Sequence, residues 1–71
     1  MNNLENLKIE KQEIELKYHN HLDYINTPSF NELYYEQKHL IKQKTEILGQ
    51  YLKLLKKQIR LITYIEADKH E

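Results

Sequence analysis

Residues 33–65 read LYYEQKHLIKQKTEILGQYLKLLKKQIRLITYI, and the spacing of the apolar side chains in this stretch decides the fold. Positions 33, 40, 47, 54 and 61 are Leu, Leu, Ile, Leu and Leu, and their neighbours 34, 41, 48, 55 and 62 are Tyr, Ile, Leu, Leu and Ile. A repeat every seven residues marks an α-helix that lies along another helix. Phe30, Gln37, Lys44, Tyr51, Gln58 and Ile65 form a third, partly apolar heptad position. The face is thus wider than a two-stranded seam needs, which suits a helical bundle. Gly49 is the sole glycine, and no proline or turn cluster follows it, so one helix is predicted from about residue 30 to about residue 66.

The same reading carries towards the N-terminus. At about 100° per residue Leu4, Leu7, Ile14, Tyr18, His21, Leu22 and Ile25 share one face of a first helix over residues 4–25, interrupted by Lys11. Ile9 and Leu16 make a short second stripe on the other side. Residues 26–29 are then the turn, which Pro28 keeps out of either helix interior. Two start signals compete for the second helix. Ser29 with Glu32 has the spacing of a capping box, and Thr27 before Pro28 at the first helical position serves equally well. A short turn makes the helices antiparallel neighbours, with Leu22 near Leu33 and Tyr18 near Gln37. Tyr24, Phe30, Tyr34 and Tyr35 would then gather as an aromatic lid on that end. Residues 67–71, of mixed charge, are expected to fray.

An all-α antiparallel hairpin with unequal arms has a consequence for association. At ~1.5 Å per residue the second helix outruns the first by ~20 Å. The overhang would carry Tyr51, Leu54, Leu55, Ile59, Leu61, Ile62 and Ile65, too apolar to remain in water, so these are the candidate interface residues. A chain of 71 residues also buries too little surface to be comfortably stable alone. Self-association, most simply as a dimer, is therefore expected to complete a bundle or coiled coil, treating residues 1–71 as one domain.

Composition narrows the function classes. There is no cysteine, hence neither a disulfide nor a thiolate metal site, and its absence fits a reducing compartment. The first residues lack the basic head and apolar run of a secretion signal, and no apolar run is long enough to span a membrane, so a cytoplasmic protein is expected. Residues 51–65 taken alone form a basic amphipathic helix, but the same heptads continue back to Leu33, as in a bundle. No glycine-rich phosphate loop, nucleophile with a base, or carboxylate pair on an apolar wall is present, and no cofactor is implied. His19 and His21 fall on different sides of one helix, and only His39 across the turn could join His19 and a glutamate around a metal; neither an enzyme nor a metal protein is expected.

The net charge is zero, yet residues 37–60 hold seven basic residues against one acid, Glu46. Lys38, Lys42, Thr45, Gly49, Lys53, Lys56 and Arg60 follow one another as an outward stripe on the helical wheel, about 33 Å long from end to end. The stripe is a solvated face, a dock for an acidic protein surface, or a phosphate-binding track with Gly49 permitting close approach. Two classes of function follow. The first is a small oligomeric module for protein–protein interaction, such as a regulator or inhibitor of a host protein encoded by a phage or mobile element, a source that the abundant Asn, Ile, Lys and Tyr would suit. The alternative is a nucleic-acid-binding hairpin that uses Lys38, Lys42, Lys53, Lys56 and Arg60.

Overall fold

The structure is a computed structural model, and it describes residues 3–68. Three helices make up nearly all of it: α1 (Asn3–Ile25), the single-turn α2 (Pro28–Asn31) and α3 (Tyr35–Asp68), and the described residues contain no strand. α1 has 23 residues and α3 has 34, and the pair packs side by side in a body of 57 × 17 × 15 Å. None of the described helices is long and apolar enough to cross a membrane.

The seam follows a strict alternation of three and four residues on both helices. On α1 the inward side chains are Leu4, Leu7, Lys11, Ile14, Tyr18, His21 and Ile25, all half-buried, so the predicted face holds, with Leu22 turned to its exposed edge. On α3 they are Lys38, Ile41, Thr45, Leu48, Leu52, Leu55, Ile59 and Ile62. Only Leu52, Leu55 and Phe30 among the described apolar residues are fully buried. Thr45 is buried beside them, and its hydroxyl is satisfied within the helix by donating to the Ile41 carbonyl at 2.8 Å. A polar residue can therefore occupy the seam without a cross-helix partner.

Contacts across the seam run in opposite orders along the two helices. Tyr18 rests on Gly49, the Tyr51 hydroxyl donates to the Glu10 carboxylate, and Lys8 and Lys11 border the same groove as Lys56 and Arg60. Tyr18 thus sits opposite residue 49, whereas a four-residue turn would have put it at residue 37, a displacement of about 18 Å along α3. The connection explains the shift. It occupies residues 26–34 and contains α2, so α3 begins at Tyr35 rather than near residue 30. In this register α1 reaches past the level of Arg60, and the ~20 Å overhang shrinks to roughly the last two turns of α3. Leu55 is accordingly covered within the chain, as are parts of Ile59 and Ile62. α3 continues through Asp68, two residues past its expected end near residue 66, and residues 69–71 of the segment expected to fray lie outside the described residues.

The connection is built from local hydrogen bonds. Asn26 and Thr27 close the end of α1 through backbone bonds to Asp23 and Tyr24 at 3.2 and 3.0 Å. Thr27 then caps α2: its hydroxyl accepts from the Phe30 N–H at 3.3 Å and donates to the Tyr24 carbonyl at 2.6 Å, with Pro28 at the first helical position. Of the two start signals Thr27 is thus the one used, and it starts α2 rather than the long helix. α3 starts on a third signal, the Gln37 side chain accepting from the Tyr34 N–H at 3.2 Å, which is one half of a capping box. Phe30 fills the end of the pair, edge-on to Tyr24 with ring centroids 5.9 Å apart. Tyr34 and Tyr35 do not join that lid, being 83% and 81% exposed.

Thr27→Ala should cost about 0.5–2 kcal/mol of stability through loss of the cap, while Ser29→Ala should change it by less than about 0.5 kcal/mol. Urea melts at one fixed protein concentration check both, and equal losses would show that Ser29 shares the capping.

Candidate functional site

Two surfaces of the helix pair present more than a solvated exterior. The first is apolar and lies on α3. Leu40, Ile47, Leu54 and Leu61 are 63%, 64%, 58% and 59% exposed, and they recur every seven residues. Lys44, Tyr51, Gln58 and Ile65 interleave with them, so residues 40, 44, 47, 51, 54, 58, 61 and 65 repeat the same three-and-four alternation as the inner seam. α3 thus carries two such rows, and α1 covers one of them. Tyr51, Leu54, Gln58 and Leu61, with Lys57, line a shallow groove along this row. On α1, Ile9 and Leu16 are also exposed.

Of the interface residues expected from sequence, the structure leaves Tyr51, Leu54, Leu61 and Ile65 outside and turns Leu55 inward with only 1% exposure. Ile59 and Ile62 are half-buried against α1. Leu40 and Ile47, which precede the overhang in sequence, join the outer row instead. Both belong to the broad apolar face that the heptads mark, and their place outside the α1 seam puts them in the outer row.

The second surface is basic. The expected seven-member outward stripe does not survive as such. Thr45 is buried, Gly49 lies under Tyr18, and Lys38 is half-buried at the seam. The Lys42 ammonium stands 6.0 Å from the centroid of the Phe30 ring, a cation–π position. Lys53, Lys56 and Arg60 remain exposed. Lys56 and Arg60 are met across the seam by Lys8 and Lys11 of α1, which with Gln12 and Ile59 border one groove of about 380 Å³. No carboxylate lines it. Sequence reading could not pair these residues, because the pairing depends on the register fixed by Tyr18 and Gly49.

The helical backbone at Gly49 is ordinary, with no positive φ, so the glycine serves closeness rather than conformation. A Cβ there would stand 3.1 Å from Cε1 and 3.3 Å from Cζ of Tyr18. The neighbouring groove, bounded by Tyr18, Glu46, Gln50 and Lys53 among others, gives the ring room to move outward slightly.

The histidines do not converge. His19 tilts against Tyr18 at 5.9 Å, His39 stacks on Tyr35 at 6.2 Å, and His21 lies in a shallow groove with Asn20, Tyr24 and Ile41. Among the described residues no group of three or more His, Cys, Asp or Glu side chains is placed to hold a metal ion. No family model, curated protein or solved structure matches the chain.

Gly49→Ala should stabilise by less than the ~1 kcal/mol that helix propensity alone confers, because the Tyr18 ring must shift to admit the methyl group. Combined with Tyr18→Ala, the same substitution should recover the full ~1 kcal/mol. A double-mutant cycle of denaturation midpoints reads the coupling, and zero coupling would mean that Tyr18 does not rest on Gly49.

Proposed function

We propose that the chain is a small helical hairpin that works by protein–protein contact, self-associating through the outer row of α3, and that it is not an enzyme. The observation that carries this reading is the exposed alternation of Leu40, Ile47, Tyr51, Leu54, Leu61 and Ile65 on a helix whose inner row is already satisfied by α1. A row of exposed aliphatic side chains recurring at this spacing suits contact with another helix. A thin core, with three fully buried apolar side chains among the described residues, adds to the need for a neighbour.

A dimer built by pairing α3 with α3 of a second copy satisfies the row. Antiparallel pairing suits it better than parallel pairing. In a parallel in-register pair each Lys44 would meet its own counterpart, and like charges at one level repel. Run antiparallel about the middle of the row, Lys44 falls near Leu61, where its methylenes can cover the leucine while the ammonium reaches water. Gln58 falls near Ile47 in the same arrangement. The completed bundle would be cytoplasmic and would present its remaining surface to a further protein, the role of a regulator or inhibitor of a host protein encoded by a phage or mobile element.

Sedimentation equilibrium at micromolar concentration should give a dimer or larger species. Ile47→Asp with Leu54→Asp should dissociate it while leaving a helical monomer, since both residues face away from α1. Leu55→Asp should instead unfold the chain, because a carboxylate buried without a partner costs several kcal/mol. A well-folded monomer of the unaltered chain, or unfolding by the outer pair of substitutions, would sink the reading.

A further inference from the structure

The geometry points to the groove between Lys8 and Lys11 of α1 and Lys56 and Arg60 of α3 as a binding site for the phosphodiester backbone of duplex nucleic acid. Four cations from two helices border one depression, its floor includes the aliphatic Ile59, and no carboxylate is among the lining residues. The chain has as many acids as bases, eleven of each, so the absence of an acid here is a matter of placement and not of supply. Lys53, one turn from Lys56, extends the positive rim along α3.

Chemistry selects the ligand class. Lysine and arginine both bind phosphate oxygens, lysine as a point charge and arginine through its planar fork, and a duplex backbone carries negative charge densely enough to meet all four cations at once. Three of the four cations are lysines. Binders of single strands combine a basic groove with aromatic side chains on which bases stack, and no aromatic residue lines this groove. What remains is a set of backbone contacts along a duplex with little sequence preference. Each pair, Lys8 with Lys11 and Lys56 with Arg60, spans about one helical turn, ~5 Å along its axis, so the two rims can follow successive phosphates. The site is independent of the self-association surface: Lys56 and Leu54 are two residues apart, about 200° around α3.

The test uses the full chain and a labelled DNA duplex of about two helical turns, followed by fluorescence anisotropy at low salt. Binding is expected, with each lost contact weakening it by roughly tenfold at ~50 mM salt and flattening the log–log salt slope by about 0.9. Lys56→Gln with Arg60→Gln and Lys8→Gln with Lys11→Gln should act alike, while Lys42→Gln, held over Phe30, should change little. Lys11 is half-buried, so Lys8→Gln alone, at an exposed position, is the variant that keeps the result free of folding effects. Absence of duplex binding at low salt overturns the proposal. So does an effect confined to the α3 substitutions, a Lys42→Gln loss as large as that of Lys56→Gln, or polyglutamate binding as tightly as the duplex, which would make the groove a dock for an acidic protein.

Discussion

The ring of Tyr18 lying on the backbone of Gly49 fixes how far α3 has slid along α1, and most other features of the molecule are consequences of that register. A Cβ at position 49 would stand 3.1 Å from that ring, so the ring lies this close only because the residue is glycine. With Tyr18 opposite Gly49, Glu10 comes within reach of Tyr51, and Lys8 and Lys11 come to the level of Lys56 and Arg60. Sliding α3 back by three turns would separate these groups and bare Leu52 and Leu55, the two buried apolar residues of the seam. The glycine therefore acts through packing rather than flexibility, as its ordinary helical φ shows.

Periodicity carried the architecture a long way. The inward face of α1 was readable residue by residue because Leu4, Leu7, Ile14, Tyr18, His21 and Ile25 are apolar or aromatic at the right spacing and only Lys11 breaks the pattern. On α3 one seam position, with Ile41, Leu48, Leu55 and Ile62, was equally plain. Its partner position was not, since Lys38 and Thr45 occupy it along with Leu52 and Ile59. Thr45 is counted as polar by any pattern, yet its hydroxyl bonds back to Ile41 and the residue is buried. With that position concealed, the outer row of Leu40, Ile47, Leu54 and Leu61 reads in sequence as part of a single broad face.

The connection was less legible for a different reason. Thr27, Pro28, Ser29 and Glu32 supply two sound helix starts, and both precede a helix of a single turn. The start that matters for α3 uses Gln37, a residue that the heptads enrol as a packing position, bonding back to Tyr34. Local signals identify where a helix can begin but not how long it persists; Phe30, buried against Tyr24, holds α2 as a plug before α3 sets off. Every cross-helix grouping inherits that uncertainty. The basic groove is invisible until the connection is known, because its halves are about 45 residues apart in sequence and only the register brings them level.

The apolar row and the basic groove act on different scales of energy, and the comparison says which governs the state of the molecule. Two like charges ~10 Å apart in water repel by about 0.4 kcal/mol, and salt screens that further, so four cations on the rim of a groove are a minor burden on folding. Covering an exposed Leu or Ile contributes roughly 1.5–3 kcal/mol when burial is complete. Five aliphatic residues on one row, even if each is covered only in part, outweigh the charge term several-fold and can offset the entropy of association. In the proposed dimer the apolar row is therefore the dominant energetic term. The groove, on the far side of the same helix, would stay open in the proposed dimer, and its field would act on the rate and choice of encounter with the anionic partner proposed for it rather than on the fold.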